Sequence, residues 1–242
     1  YKAKVVGADA KYATTNGDDA NFNCNSVKIE YSNNPYDDTS KDETPTFKSY
    51  DYTYGIEIDK VKQDSSALAG AKFEIYNGAV SESNKMSFVN TAASGTPVYK
   101  VYVDGDTGTA VTELVADSDG KLKVYGFDSD TLYNLKETVA PDGYKKIDDA
   151  IPFQIDATLK TVGGDNEDMI TSLAFNAANK ASGITYVDAT ASAGLMIKVP
   201  NTAGQKLVST GGIGTTIFYV CGGILMAGAV VLLIAKLRMK NK

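Results

Sequence analysis

"LYNLKETVAPDGYKK", residues 132–146, is a strand pattern that runs to an inward glutamate and then breaks at once into a proline and glycine turn. In a strand, residues of equal parity share a face, so Tyr133, Leu135 and Glu137 point the same way. The pattern recurs twice, as Ile56, Ile58 and Lys60 in "YGIEIDK" and as Leu195, Ile197, Val199 and Asn201 in "GLMIKVPN". Each inward row ends on one polar residue. An apolar interior disfavours charge and pushes a lysine and a carboxylate toward their neutral forms, and a neutral lysine amine is a nucleophile. Beside the Asn201 amide, with a protonated Glu137 to polarise the carbonyl and shuttle protons, Lys60 can attack and release ammonia, leaving a Lys–Asn amide bond. Proximity in a rigid core would supply most of the acceleration. Glu137 then needs no histidine, and the chain has none. The plainer reading of each position is a strand-end residue that reaches water.

Composition frames this chemistry. The 242 residues are 43% hydrophobic in short runs, enough for one good core. Valine and threonine recur between Gly- and Asp-rich turns, which is all-β composition. Cys24 and Cys221 are the two cysteines, and the second lies in an apolar segment, so no disulfide staples the folded region. Without the tail cations Lys236, Arg238, Lys240 and Lys242, 20 basic residues face 30 acidic ones, about −10, which argues against nucleic acid as a partner. "DGDTGTAVTE" and "DSDGKL" lack the ligand spacing of an EF-hand and read as solvated turns, so neither a metal site nor a cofactor is expected.

Along the chain, "SVKIEY" puts Val27, Ile29 and Tyr31 on one face, and the polar run "SNNPYDDTSKDETPT" after it reads as a loop. Tyr1 already reads as mid-strand, so the chain looks like the C-terminal part of something longer. From residue 53 to 203, strand signals alternate with "DGDTG", "DSDGK", "APDG" and "VGGDNED", the pattern of a sandwich. Residues 217–235, "IFYVCGGILMAGAVVLLIA", carry no charge and are long enough to cross a bilayer. The basic tail 236–242 predicts a cytoplasmic C-terminus.

At these residues the sequence resembles the collagen-adhesin B-type (Cna B) domain of Gram-positive surface proteins, an immunoglobulin-like sandwich. "DKVKQDSSALAGAKFEIY" resembles the family's first strand and "LAGA" turn, and "YNLKETVAPDGY" its E-box. The resemblance implies an isopeptide bond between Lys60 and Asn201, with Glu137 as the group that drives the self-reaction. "KLVSTGG", the apolar segment and the basic tail together resemble a cell-wall sorting signal, which sortase cuts between Thr and Gly, here Thr210 and Gly211. The motif residues are Leu207, Val208, Ser209, Thr210 and Gly211, with Val208 standing where the family motif Leu-Pro-x-Thr-Gly has proline. "NSVKIEYSNNP" with "YTYGIEIDK" resembles the junction between the last two domains of fimbrial backbone subunits, and Asn25 matches the region of the preceding domain's own bond-forming asparagine.

The resemblance thus implies three parts: residues 1–52 as the C-terminal end of a preceding pilin β domain and a linker, 53–203 as the Cna B-type sandwich, and 204–242 as the sorting signal. It implies a non-enzymatic pilus (fimbrial) subunit on the Gram-positive cell surface, its C-terminal helix in the plasma membrane before cleavage. The implied partners are sortase, neighbouring pilins or peptidoglycan, and the membrane. The second reading is a wall- or membrane-anchored adhesin, not polymerised, whose sandwich binds a host surface protein. Lacking His, paired Cys or a metal cluster, the chain offers no other chemistry than one self-directed reaction.

Overall fold

The computed structural model describes residues 13, 23–37, 39–162, 167–204 and 213–240. The chain forms two units, Tyr1–Ala203 and Gly204–Lys242. In the first, chain order gives β1 (Asn23–Val27), β2 (Glu30–Ser32), β3 (Lys41–Glu43), β4 (Phe47–Asp51), β5 (Tyr54–Lys62), β6 (Lys72–Asn77), β7 (Phe88–Asn90) and β8 (Val98–Val101). It continues with β9 (Leu114–Val115), β10 (Lys121–Phe127), β11 (Leu132–Val139), β12 (Ile151–Val162), β13 (Glu167–Phe175), β14 (Thr185–Val187) and β15 (Leu195–Asn201).

Two sheets make the sandwich. One runs β14-β15-β5-β10-β8-β7 and the other β13-β12-β11-β6-β9. Their inner faces are the rows that period-two alternation predicts. Ile56, Ile58, Leu122, Val124, Ile197 and Val199 face Phe73, Ile75, Leu135, Ile151 and Phe153, all buried. Each such side chain contributes about 1.5–3 kcal/mol when fully buried. Phe127 packs edge-on against Tyr133 and Phe153, at 4.9 and 5.3 Å between ring centres.

The first and last strands of the sandwich, β5 and β15, lie side by side and parallel, with Val199 opposite Lys60 and Asn201 opposite Lys62. Pro200 does not disturb this register or the alternation, and Asn201 stays inward. The physical reason is its place beyond the β14 pairing. Lys60 N–H donates to Gly120 O on the β10 side, so the neighbouring odd-numbered residues of β5 bond toward β15, through its own odd-numbered residues. Pro200 therefore faces the β14 side, where pairing ends at Lys198, and its missing N–H removes no ladder bond.

The segment 23–51 differs from closing strands followed by a loop, because a strand forms within the polar run. β1 pairs with β4, whereas β2 pairs with β3, which forms inside the polar run. The chain changes partner at Lys28–Ile29, so Val27, Ile29 and Tyr31 do not form one buried row and are 60%, 63% and 48% exposed. The short β2–β3 pairing is supported by Lys28, whose amine lies 2.6 Å from Glu43.

Among the described residues the second unit contains one helix, α1 (Ile213–Lys240). Its stretch Phe218–Leu237 is long and apolar enough to span a membrane. Leu207, Val208, Ser209, Thr210 and Gly211 lie outside the described residues.

Candidate functional site

Lys60, Glu137 and Asn201 meet inside the sandwich. Their side chains come from β5 and β15 in one sheet and β11 in the other, and their exposures are 0%, 0% and 1%. Each lies where the strand pattern predicts, at the end of an inward row.

Lys60 is fixed from both sides by its backbone. Its N–H donates to Gly120 O at 2.7 Å, and its carbonyl accepts from Leu68 N–H at 2.9 Å. The first bond comes from the "DSDG" turn and the second from the "LAGA" turn. Gly120 has a φ of +76°, and a Cβ there would stand 2.3 Å from Lys60 O, so glycine is required by both conformation and space. The Lys60 amine then donates to Val199 O at 2.9 Å and to Asn201 Oδ1. Glu137 Oε1 lies 3.2 Å from the amine.

Asn201 presents its two amide atoms to different partners. Oδ1 accepts from the lysine, and Nδ2 donates to Glu137 Oε1 and Oε2 at 2.9 and 3.1 Å. The amide carbonyl thus faces the amine, and the amide nitrogen faces the carboxyl. Burial lowers the Lys60 pKa to about 8, the nearby Glu137 opposing this only in part. An amine so tuned has a far larger neutral fraction near neutral pH than an ordinary lysine.

Two further members of the site carry no signal in the sequence. Ile147 N–H donates to Glu137 Oε2 at 2.8 Å, and the Val199 carbonyl holds the amine. Both are backbone groups, and no residue type signals them. Gly120 carried a turn signal but nothing that tied it to Lys60. Asn25 lies in β1 opposite Ser49, away from these three residues in the pairing scheme. The Asp-rich turns consume their own acceptors: Asp117 takes N–H bonds from Asp119 and Lys121, and Asp106 takes one from Val103. Among the described residues no group of three His, Cys, Asp or Glu could hold a metal.

The fold is a two-sheet sandwich with a buried lysine, glutamate and asparagine at its strand ends. Residues 54–168 match the SpaA prealbumin-like fold domain family, and Asn201 on the last strand lies beyond the matched stretch. Solved structures with similarity include the pilus 2b backbone protein of group B streptococcus, at 19% identity and TM-score 0.38, covering 70% of this chain and 50% of that one. The C-terminal fragment of the major pilin of Streptococcus agalactiae gives 21% and 0.42, covering 55% and 45%. The C-terminal domain of the shaft pilin SpaA from Lactobacillus rhamnosus GG gives 17% and 0.33, covering 64% and 100%. The chain spans about half the length of the first two of these. No curated protein matches it.

Proposed function

We propose that the chain is a structural subunit of a sortase-assembled surface pilus, and that its sandwich staples itself with an amide bond between Lys60 and Asn201. The observation that carries the staple is the burial of Lys60, Glu137 and Asn201 in mutual hydrogen-bonding contact. The SpaA-type domain and the sorting-like tail support the pilus role.

The reaction follows from the contacts. Lys60 gives one proton to Glu137 Oε1, and the neutral amine adds to Cγ of Asn201. Glu137 returns a proton to Nδ2 as the tetrahedral centre collapses, and a second proton leaves Nζ for the carboxyl. The Nζ–Cγ bond forms, the Cγ–Nδ2 bond breaks, and ammonia departs. Holding amine and amide in contact supplies the entropic part of the barrier. The group reacts once and is consumed.

The mechanical consequence concerns β5 and β15. Tension entering through β5 crosses at Lys60 to Asn201 and leaves toward the C-terminus, so residues 61–200 bear none of it. Residues 1–52 close a preceding β domain, to which Asn25 would contribute a bond of its own, and residues 204–242 form the sorting signal. Sortase would cut between Thr210 and Gly211, with neighbouring pilins or peptidoglycan as the acceptor. Val208 in place of proline favours a second reading, a membrane-held adhesin that is not polymerised and binds a host surface protein. Intact mass tests the staple: a chain lighter by one ammonia, with a tryptic peptide pair joined through Lys60 and Asn201, is expected. A folded chain of full sequence mass would refute it.

A further inference from the structure

The two oxygens of Glu137 have unequal surroundings. Oε1 lies 3.2 Å from the Lys60 amine and 2.9 Å from Asn201 Nδ2. Oε2 accepts the Ile147 N–H at 2.8 Å as well as the Asn201 amide at 3.1 Å. One oxygen therefore bridges the proton source and the leaving group, and the other is bound by a backbone donor that has no proton to give up.

The segment carrying Ile147 is built around this site. Thr138 is an extra residue in β11: Glu137 stands opposite Phe73 and Val139 opposite Lys72. Such a bulge ends the regular alternation and bends the strand, directly after Glu137. Thr138 Oγ1 is the one buried side-chain polar atom among the described residues that lacks a hydrogen-bond partner. The chain then turns through Pro141–Tyr144, where Gly143 has a φ of +82° and Tyr144 N–H donates to Pro141 O at 3.0 Å. It next attaches to the chain just past Asn201: Tyr144 bridges Ala203, and Lys145 N–H donates to Thr202 O at 2.9 Å. Two residues on, Ile147 reaches the carboxyl and packs against the core.

We propose that residues 140–147 form a positioning strap, in which the Ile147 N–H anchors Glu137 Oε2 so that Oε1 alone relays protons from Lys60 to the departing nitrogen of Asn201. This rests on the self-stapling reading above. By holding the end of β15 as well, the strap fixes the carboxyl and the amide to each other before the bond forms. Ile147 is a positioning residue, acting through Glu137.

The test follows bond formation in time by intact mass of the full chain, made by cell-free synthesis with detergent. In one chain Ile147 is replaced by its α-hydroxy acid, which turns the peptide N–H into an ester oxygen and keeps the side chain. In a second, Ile147→Ala keeps the N–H and removes packing. The ester chain should lose ammonia about 10- to 100-fold more slowly than wild type, as expected for one hydrogen bond to a charged group, whereas Ile147→Ala should stay within about threefold if the N–H is what matters. Equal rates in the ester and wild-type chains would overturn the strap, as would an alanine chain as slow as the ester. In a Lys60→Ala background, where no bond can form, the ester chain should melt cooperatively; failure to do so would show that the N–H serves the fold and not Glu137. Wild type that never loses ammonia would refute the staple itself, an outcome separate from the others.

Discussion

Lys60 and Asn201 sit 141 residues apart in sequence and meet in space because β5 and β15 run parallel with Val199, not Asn201, opposite Lys60. The lysine reaches one inward position further along the neighbouring strand, and this diagonal approach places its amine against the amide carbonyl. Direct opposition would have put Val199 there.

Removal of either bonding partner should cost the domain heavily. Chain entropy for a loop of this size gives about 5 kcal/mol, so Lys60→Ala should lower the melting temperature by about 10–20 °C, at about 2–4 °C per kcal/mol. Glu137→Ala should do the same and leave the full sequence mass. Calorimetry with intact mass spectrometry checks both, and an unchanged melt in either variant would count against the staple.

An unbonded lysine should make stability depend on pH. In Asn201→Ala, Lys60 remains a free amine whose folded pKa, about 8, lies below the ordinary 10.5 of the unfolded chain. Between those values the unfolded state holds the extra proton, so stability rises as pH increases. Urea melts at pH 7.5 and 9.5 should show Asn201→Ala gaining stability relative to Lys60→Met/Asn201→Ala. An equal response in both would assign the effect to other groups.

Gly120→Ala brings a methyl group to 2.3 Å from Lys60 O at a positive φ. The left-handed conformation alone costs about 1–3 kcal/mol, and the clash must move the strand that carries the nucleophile. Both a lower melting temperature and a smaller fraction of bonded chain are expected.

Pro200→Ala is the contrasting case. Because Pro200 lies past the last β14 pair, at Lys198, the change should alter stability by less than about 1 kcal/mol and leave the bonded fraction as in wild type. A loss of bonding would mean that the proline holds Asn201 in register.

Parity made the three inward polar residues legible in the sequence, because side-chain direction in a strand alternates whatever the strand pairs with. The burial of Tyr133, Leu135 and Glu137, or of Leu195 through Asn201, needed no partner to be foreseen. For Val27, Ile29 and Tyr31 the rule carries no burial: all three are exposed where the chain changes partner between them. The apolar run near the C-terminus was equally legible, for hydropathy over twenty residues depends on composition alone.

Convergence belonged to the tertiary structure. The parallel register of β5 with β15, and the packing of β11 across from them, are long-range pairings that local pattern does not encode. The bulge at Thr138, the fit of Gly120 against Lys60 and the reach of Ile147 N–H to Glu137 likewise depend on where distant backbone lies. Every non-proline residue carries the same N–H, so the sequence determined which side chains face inward, and only the fold decided which backbone groups hold them in place.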